Sequence, residues 1–462
     1  MVLGAWGSLP ARCPGGCPIS RYPVPGGGGS VSRMALVILV GAHLGYDPHE
    51  VPLGGGAAVG TALAWRWMET QPFPFLVLGS GERPPHPGVP YQPVAWDDGA
   101  RARHPAGLSI RQYARFSRQF ERGVTGFLRS LARDVDPSRA CVLHNDIAEA
   151  GDFAQIAALG YRQAAIFHVD VVDYVAQIYL RGYLSSRGLA RAYRTLERAH
   201  VAPFLPDVAK LAFGKQEACA RHCDLLVVPS PRMAEILTAA YPWRTEDDTL
   251  ALPWGTISAP NPPDLEGVQA ELERRYEPGG RPVLLTLSRI SPEKGQDLLL
   301  QALRLWERRG GGELLVLICG SAAYMHGPSY LRTLQRLARG LRKVEVHFPG
   351  YVSGAVKHAF FRLSDLYVFP SRHESYGLTL MEALAAGLPV LTTDHRSAHD
   401  LVRPEFGCVV SAQPGSLYQG LRELLARREE LPRMGEAARR FAGDQPFSLA
   451  ADGLAAHLVR LL

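Results

Sequence analysis

Glu374 and Glu382 stand with seven residues between them, and this pair is the most informative chemistry in the chain. The apolar run Leu366 to Phe369 reads as a short buried strand that Pro370-Ser371 closes. Residues 377–386 then read as a helix with Leu378, Met381, Leu384 and Ala385 on one face. Glu374 therefore falls on the strand-to-helix loop, and Glu382 about one and a half turns into the helix. The backbone N–H groups of Ser375, Tyr376, Gly377 and Leu378 lie at the helix's positive end, where anions bind. Two carboxylates beside an anion cradle fit a ligand that carries both hydroxyls and phosphates, as a sugar nucleotide does.

Cations sit in a matching place upstream. A strand at 283–288 is followed by Arg289-Ile-Ser-Pro-Glu-Lys294-Gly295 and then a helix, so Arg289 and Lys294 lie at a strand's carboxyl end. Two cations there can neutralise a diphosphate whose charge grows as its bond to a sugar breaks. Chance basic residues on a solvated turn are the plain alternative. Lysine is scarce, however: Lys210, Lys215, Lys294, Lys343 and Lys357 are five of fifty basic residues. Gly320 follows the strand at 314–319 and gives backbone room to approach a ligand. Residues 348–352 repeat that pattern on the next strand.

In the first half, Gly54-Gly55-Gly56 precedes a helix, after a loop that carries His43, Tyr46, Asp47 and His49. A glycine loop at a helix N-terminus can wrap a phosphate. It lacks both the G-x-G-x-x-G spacing and the P-loop lysine, so neither a dinucleotide nor an ATP site is indicated. His168 ends a strand at 164–167, placed to bond a sugar hydroxyl or move a proton. Taken alone it reads as a structural histidine, and His144-Asn145-Asp146 ends the preceding strand in the same way. Asp170 and Asp173 are three apart but have no third ligand, and Cys219, His222 and Cys223 do not complete a tetrahedral set. No metal is expected, and the cysteines read as buried thiols. Arg187, Arg191, Arg194 and Arg198 form a basic helical stripe that reads first as a solvated face, with a membrane surface or acidic acceptor as the alternative.

The elements that must position these groups alternate between strand and helix throughout, which predicts parallel sheets with covering helices. Strands are expected at 36–40, 75–78, 140–143, 164–167 and 225–228, with helices at 57–69, 110–132, 147–159 and 206–222. Residues 241–282, rich in Pro, Asp, Glu and Gly, read as a connection. Strands restart at 283–288, 314–319, 344–348, 366–369 and 390–392, with helices at 297–309, 330–341 and 355–363, and two more at 417–428 and 433–442. The expected fold class is α/β: two doubly wound Rossmann-like domains with the site in the cleft between them. The expected divisions are 1–33 as a disordered leader with Met34 as an alternative start, and 34–250 as the acceptor-side domain. A connection at 251–280, a nucleotide-sugar-binding domain at 281–442, and a tail at 443–462 packing back on the first domain complete them.

With 462 residues there is room for full cores in two or three domains. A hydrophobic share of 47 % and a charged share of 20 % are those of a globular protein. The net charge of +6 is too scattered to argue for nucleic acid. No segment reads as a signal peptide or membrane span, and the thiols suit a reducing, cytoplasmic setting.

Taken together, Glu-x7-Glu, Arg289-x4-Lys294, Pro253-Trp254-Gly255 and Arg433-Met-Gly-Glu-Ala-Ala-Arg439 resemble the retaining glycosyltransferases of the GT-B fold, group 1 or family 4. These are the glycogen-synthase-like and sucrose-synthase-like transferases. The resemblance is strong from about residue 250 to 445, weaker from 34 to 250, and absent from 1 to 33. It implies that Arg289 and Lys294 bind the donor diphosphate, that Glu382 holds the ribose, and that Glu374 and His168 flank the donor sugar. It also implies N–H donors to phosphate from Ser375, Tyr376, Gly377 and Leu378, and a diphosphate-side loop at Gly55 and Gly56. No cofactor beyond the nucleotide-sugar co-substrate is implied. The chain departs from the pattern with Ser375-Tyr376-Gly377 for Gly-Phe-Gly, and with Arg396-Ser397-Ala-His399-Asp400 for Gly-Gly-x-x-Glu. The expected activity is hexosyl transfer to an unidentified acceptor hydroxyl. A GT-B phosphorylase, a sugar-nucleotide epimerase and a non-catalytic nucleotide-sugar-binding protein are the alternatives.

Overall fold

A computed structural model describes residues 35–47, 51, 54–94, 105–180, 182–257, 264–322 and 327–462. The leader 1–33, Met34, His49 and Leu53 lie outside the described residues. Thirteen strands are described: β1 (Leu36–Val40), β2 (Phe75–Gly79), β3 (Tyr91–Pro93), β4 (Ala140–His144), β5 (Arg162–Ile166), β6 (Leu225–Val228) and β7 (Thr249–Ala251), then β8 (Val283–Leu287), β9 (Leu314–Cys319), β10 (Val344–Gly350), β11 (Leu366–Phe369), β12 (Val390–Thr393) and β13 (Gly407–Val410). They form a seven-stranded sheet ordered β3-β2-β1-β4-β5-β6-β7 and a six-stranded sheet ordered β10-β9-β8-β11-β12-β13. Every pairing is parallel. The central strands β1, β4, β8, β9 and β11 are buried along their whole length, because helices cover both faces of each sheet. In each sheet the strand order reverses once, between β1 and β4 and between β8 and β11. Ligands bind doubly wound sheets at that reversal.

Three short edge strands, β3, β7 and β13, carry too few apolar positions to show as periodic runs. The stretch 241–282, expected to be a connection, supplies β7 and a helix, Leu265–Tyr276, whose Leu265, Leu272 and Tyr276 are buried. The helix expected at 147–159 starts only at Phe153. There the Asp152 side chain accepts the Gln155 N–H at 3.0 Å, and residues 145–152 remain a loop at the carboxyl end of β4. The helix expected at 206–222 is interrupted by a π-helical turn, Lys210–Gly214.

The two domains share buried apolar residues through Trp254, whose ring lies 6.0 Å from that of His168 and 6.3 Å from that of Phe447. Thr256 and the residues after 444 pair backbone to backbone: Thr256 N donates to Gln445 O at 2.8 Å, and Thr256 O accepts from Phe447 N at 3.1 Å. The helix Phe447–Leu461 then reaches the first domain, where Arg66 grips Asp452 with two bonds of 2.9 and 2.7 Å. Among the described residues no helix is long and apolar enough to cross a membrane.

Candidate active site

On the second sheet, Arg289 leaves β8 and Glu374 follows β11, so both reach the same reversal point. Lys294 ends a 3₁₀ turn, Pro292–Lys294, and the turn is pressed onto the exit of β11. Gly295 makes that contact: its φ is +66°, and a β-carbon there would lie 1.9 Å from Pro370 O. Lys294 Nζ consequently pairs with Glu374 Oε2. Burial opposes the Glu374 charge, but the Lys294 ammonium, helped by His395 and His373, outweighs it and holds the carboxyl below its usual range. Arg289 Nη2 stands 3.7 Å from Glu293 Oε1. Its charge also disfavours protonation of His43 in the first domain.

Glu382 lies on the helix Leu378–Ala386 and accepts from Lys357 Nζ at 2.8 Å. Gly377 opens that helix in the left-handed region, φ +97°. Ser375 and Tyr376 are buried beside it. The Tyr376 hydroxyl accepts the Gly255 N–H at 2.7 Å, so the departure from phenylalanine gives an anchor between the domains. Gly320 sits at the carboxyl end of β9, where the nearest atom to an added β-carbon is Ser288 O at 1.8 Å. The close approach it permits is thus to the chain's own backbone at the end of β8.

Across the cleft, Gly55 and Gly56 open the helix Gly55–Thr70. A β-carbon on Gly55 would come 3.1 Å from Leu378 Cδ1, so the N-termini of the two helices face each other. A β-carbon on Gly56 would come 2.8 Å from His168 Cδ2. Asn145 ties this corner together: its Nδ2 donates to Gly56 O at 2.9 Å, and its Oδ1 is 3.3 Å from His168 Nε2. Burial pushes His168 down to about 4, partly offset by Glu149, so the imidazole is neutral near pH 7. The neighbouring His144 is structural: it is fully buried, bonds Gln163 Oε1 at 3.1 Å, and is pushed down to about 3 by burial.

The loop after β1 brings His43 Nε2 to within 2.5 Å of Glu149 Oε1, which also accepts from the Tyr113 hydroxyl at 2.8 Å. Burial works against the imidazolium, but Glu149 raises the His43 pKa above the ordinary value. Asp146 beside them is raised by burial and by the Glu149 charge. Sequence reasoning named His43 and Asp146 but not Glu149, and it missed Lys357 and the bridging role of Asn145. Scarcity of lysine, which singled out Lys294, applied equally to Lys357.

Asp170 and Asp173 do not face each other as ligands. Asp170 caps the short helix Val171–Tyr174 by accepting the Asp173 N–H at 2.9 Å, and Asp173 is turned to Arg396. Cys219 and Cys223 are buried free thiols with sulfurs 3.7 Å apart. Among the described residues no three His, Cys, Asp or Glu side chains are grouped to hold a metal ion. The arginine stripe is broken as well. Arg187, Arg191 and Arg198 are exposed, whereas Arg194 turns inward to Glu217 at 3.3 Å and lies over Trp243 at 5.2 Å.

Two doubly wound parallel domains with facing helix N-termini at their strand-order reversals define the GT-B architecture. Residues 269–441, most of the second domain, match the family described as Glycosyl transferases group 1. A GDP-mannose-dependent alpha-(1-6)-phosphatidylinositol monomannoside mannosyltransferase of Mycobacterium tuberculosis is 35 % identical over 187 residues, covering 38 % of this chain and 47 % of that one. A D-inositol 3-phosphate glycosyltransferase of Nocardia farcinica is 28 % identical over 254 residues, 54 % of this chain and 55 % of that one. The chain thus spans about half the length of the curated relatives it matches. The fold extends further than the sequence similarity. A sucrose-phosphate synthase from Thermosynechococcus elongatus superposes with a TM-score of 0.65 at 15 % identity, covering 92 % of this chain and 98 % of that one. An Anabaena protein solved with UDP and glucose gives 0.62 at 15 % identity, with 93 % and 100 % covered.

Proposed function

We propose that the whole chain is a retaining glycosyltransferase that moves a hexose from a nucleoside-diphosphate sugar to an acceptor hydroxyl, in the cytoplasm and without a metal. The observation that carries this reading is the Lys294–Glu374 pair beside Arg289 at one strand-order reversal, facing His168 and the Gly55-Gly56 turn at the other. Arg289 and Lys294 take the diphosphate and stabilise it as it leaves. Helix dipoles at residues 375–378 and at Gly55 and Gly56 add positive potential from both sides. Glu382 turns from Lys357 to the ribose hydroxyls. Glu374 and neutral His168 hold the donor sugar, with His168 donating or accepting a hydrogen bond rather than presenting a charge. The acceptor attacks from the face that the diphosphate leaves. GDP-mannose heads the donors to try, because it is in the name of the mannosyltransferase relative.

The test is turnover of GDP-mannose, UDP-glucose and ADP-glucose, followed by release of the nucleoside diphosphate and by the anomeric signal of the product. Transfer with the anomeric configuration kept supports the reading. Cleavage of a glycoside by inorganic phosphate, with no nucleotide required, would replace it with a phosphorylase.

A peripheral membrane contact fits a second observation. Tyr183 and Phe204 are 86 % and 87 % exposed at either end of the helix Ser186–Arg198, beside the exposed Arg187, Arg191 and Arg198. Sedimentation with phosphatidylglycerol vesicles, and not with phosphatidylcholine vesicles, is the expected result; no sedimentation with either removes this contact.

A further inference from the structure

The loop Asp394 to Asp400, which departs from the group 1 pattern, is attached at three points. Arg396 crosses to the first domain and grips Asp173 with two bonds, Nε to Oδ2 at 3.1 Å and Nη2 to Oδ1 at 3.0 Å. Ser397 Oγ donates to Tyr376 O at 2.6 Å. His395 is buried edge-on against Phe369 with ring centroids 5.5 Å apart, and its Nε2 is 3.1 Å from Thr392 Oγ1.

Asp173 is held as firmly as the loop it binds. Gln216 fixes its short helix by donating to Asp170 Oδ1 at 2.7 Å and accepting the Val171 and Val172 N–H groups at 3.0 and 3.3 Å. The Asp173 carboxylate receives Ser186 Oγ at 2.8 Å, both Arg396 bonds, and His373 Nε2 at 3.4 Å. Its side chain is 4 % exposed. An ordinary interdomain ion pair lies at the rim, wet and weak. Here the carboxylate is removed from water, although Arg396 stays 28 % exposed, and the geometry is bidentate, which fixes direction as well as distance.

Its partners are also neighbours of the candidate site in sequence. His373 immediately precedes Glu374. Tyr376, two residues beyond Glu374, is held through its carbonyl by Ser397 and through its hydroxyl by Gly255. The geometry points to Asp173 as a positioning residue: through His373 and Arg396 it sets the orientation of Glu374 from the opposite domain. This rests on the transferase reading only for what Glu374 does once placed.

The test uses the full chain with Asp173→Asn, Arg396→Gln and the double variant. Hydrogen exchange without ligand should quicken in residues 371–377 and 394–400 of each, while the two sheets stay protected. Turnover of GDP-mannose, UDP-glucose or ADP-glucose should fall by about 10²-fold in kcat, as expected for a misplaced group, with KM for the donor unchanged. Because the two residues act through each other, the double variant should lose no more than the worse single one. Unchanged exchange in 371–377, or single losses that multiply in the double variant, would overturn the proposal. Should Asp173→Asn not fold, Arg396→Lys and His373→Gln carry the same test, and wild-type exchange in both overturns it. A wild-type chain that turns over no donor removes the transferase reading, while the exchange data still decide the role of Asp173.

Discussion

A β-carbon on Gly56 would lie 2.8 Å from Cδ2 of His168, a separation that real contacts essentially never show. The glycine-opened helix and the histidine that follows β5 therefore act as one corner, with Asn145 bonded to both. Gly56→Ala must push the imidazole away. Turnover should drop by about 10²-fold, the scale of an ångström's misplacement. The melting temperature should move little, since alanine favours a helix by about 1 kcal/mol over glycine. Gly126→Ala, at a position with nothing within 4 Å, is the control and should leave turnover intact.

The Lys294–Glu374 pair predicts a pH effect as well as a rate effect. Lys294→Ala removes the cation that outweighs the burial of Glu374, so the carboxyl pKa rises. Turnover should fall by about 10²- to 10³-fold, the usual loss for one electrostatic donor. The acid limb of the pH–rate profile should move to higher pH. An unmoved limb would mean that Glu374 does not govern it.

Glu382 and Lys357 are each 24 % exposed, so their pair contributes no more than about 1 kcal/mol to stability. Bonds from a charged carboxylate to ribose hydroxyls are stronger, about 1.5–3 kcal/mol. Glu382→Ala should accordingly raise the donor KM by roughly 10- to 100-fold, with the melting temperature almost unchanged. Steady-state kinetics over a donor titration measures this directly.

Stability should depend on pH through the buried imidazoles. His395 and His168 are both pushed from 6.5 to about 4, chiefly by burial. The unfolded chain takes up these protons first, so their contribution is complete above pH 6.5 and is lost as pH falls to about 4. Asp146 has the opposite sign: its raised pKa makes the folded chain hold a proton that the unfolded chain releases, so its contribution falls as pH rises. Single variants separate the two. The melting-temperature gap between wild type and His395→Asn should narrow from pH 6.5 to 4, while Asp146→Asn should gain on wild type as pH rises from the ordinary carboxylate range.

Much of this arrangement was legible in sequence because its parts are local. Arg289 and Lys294 follow one strand and Glu374 follows another, so the strand-to-helix rhythm alone placed them at carboxyl ends. The groups that were missed act at long range. Lys357 reaches Glu382 from another helix, and Arg396 meets Asp173 across 223 positions, which no periodicity encodes. Spacing also fixes a helical face but not what lies against it: Arg194 keeps its place in the basic stripe, yet Glu217 and Trp243 draw it inward. The edge strands β3, β7 and β13 were too short to show a period.

The most direct test of the central claim is the melting temperature of the full chain with GDP-mannose, UDP-glucose and ADP-glucose. A ligand that binds only the folded state stabilises it by about 2.7 kcal/mol at 100 times its Kd. At least one of the three should raise the midpoint, and Lys294→Ala should lose most of that rise while folding normally without ligand. If none of the three shifts wild type, or if Lys294→Ala responds as wild type does, the cleft does not bind a nucleotide sugar in the way described.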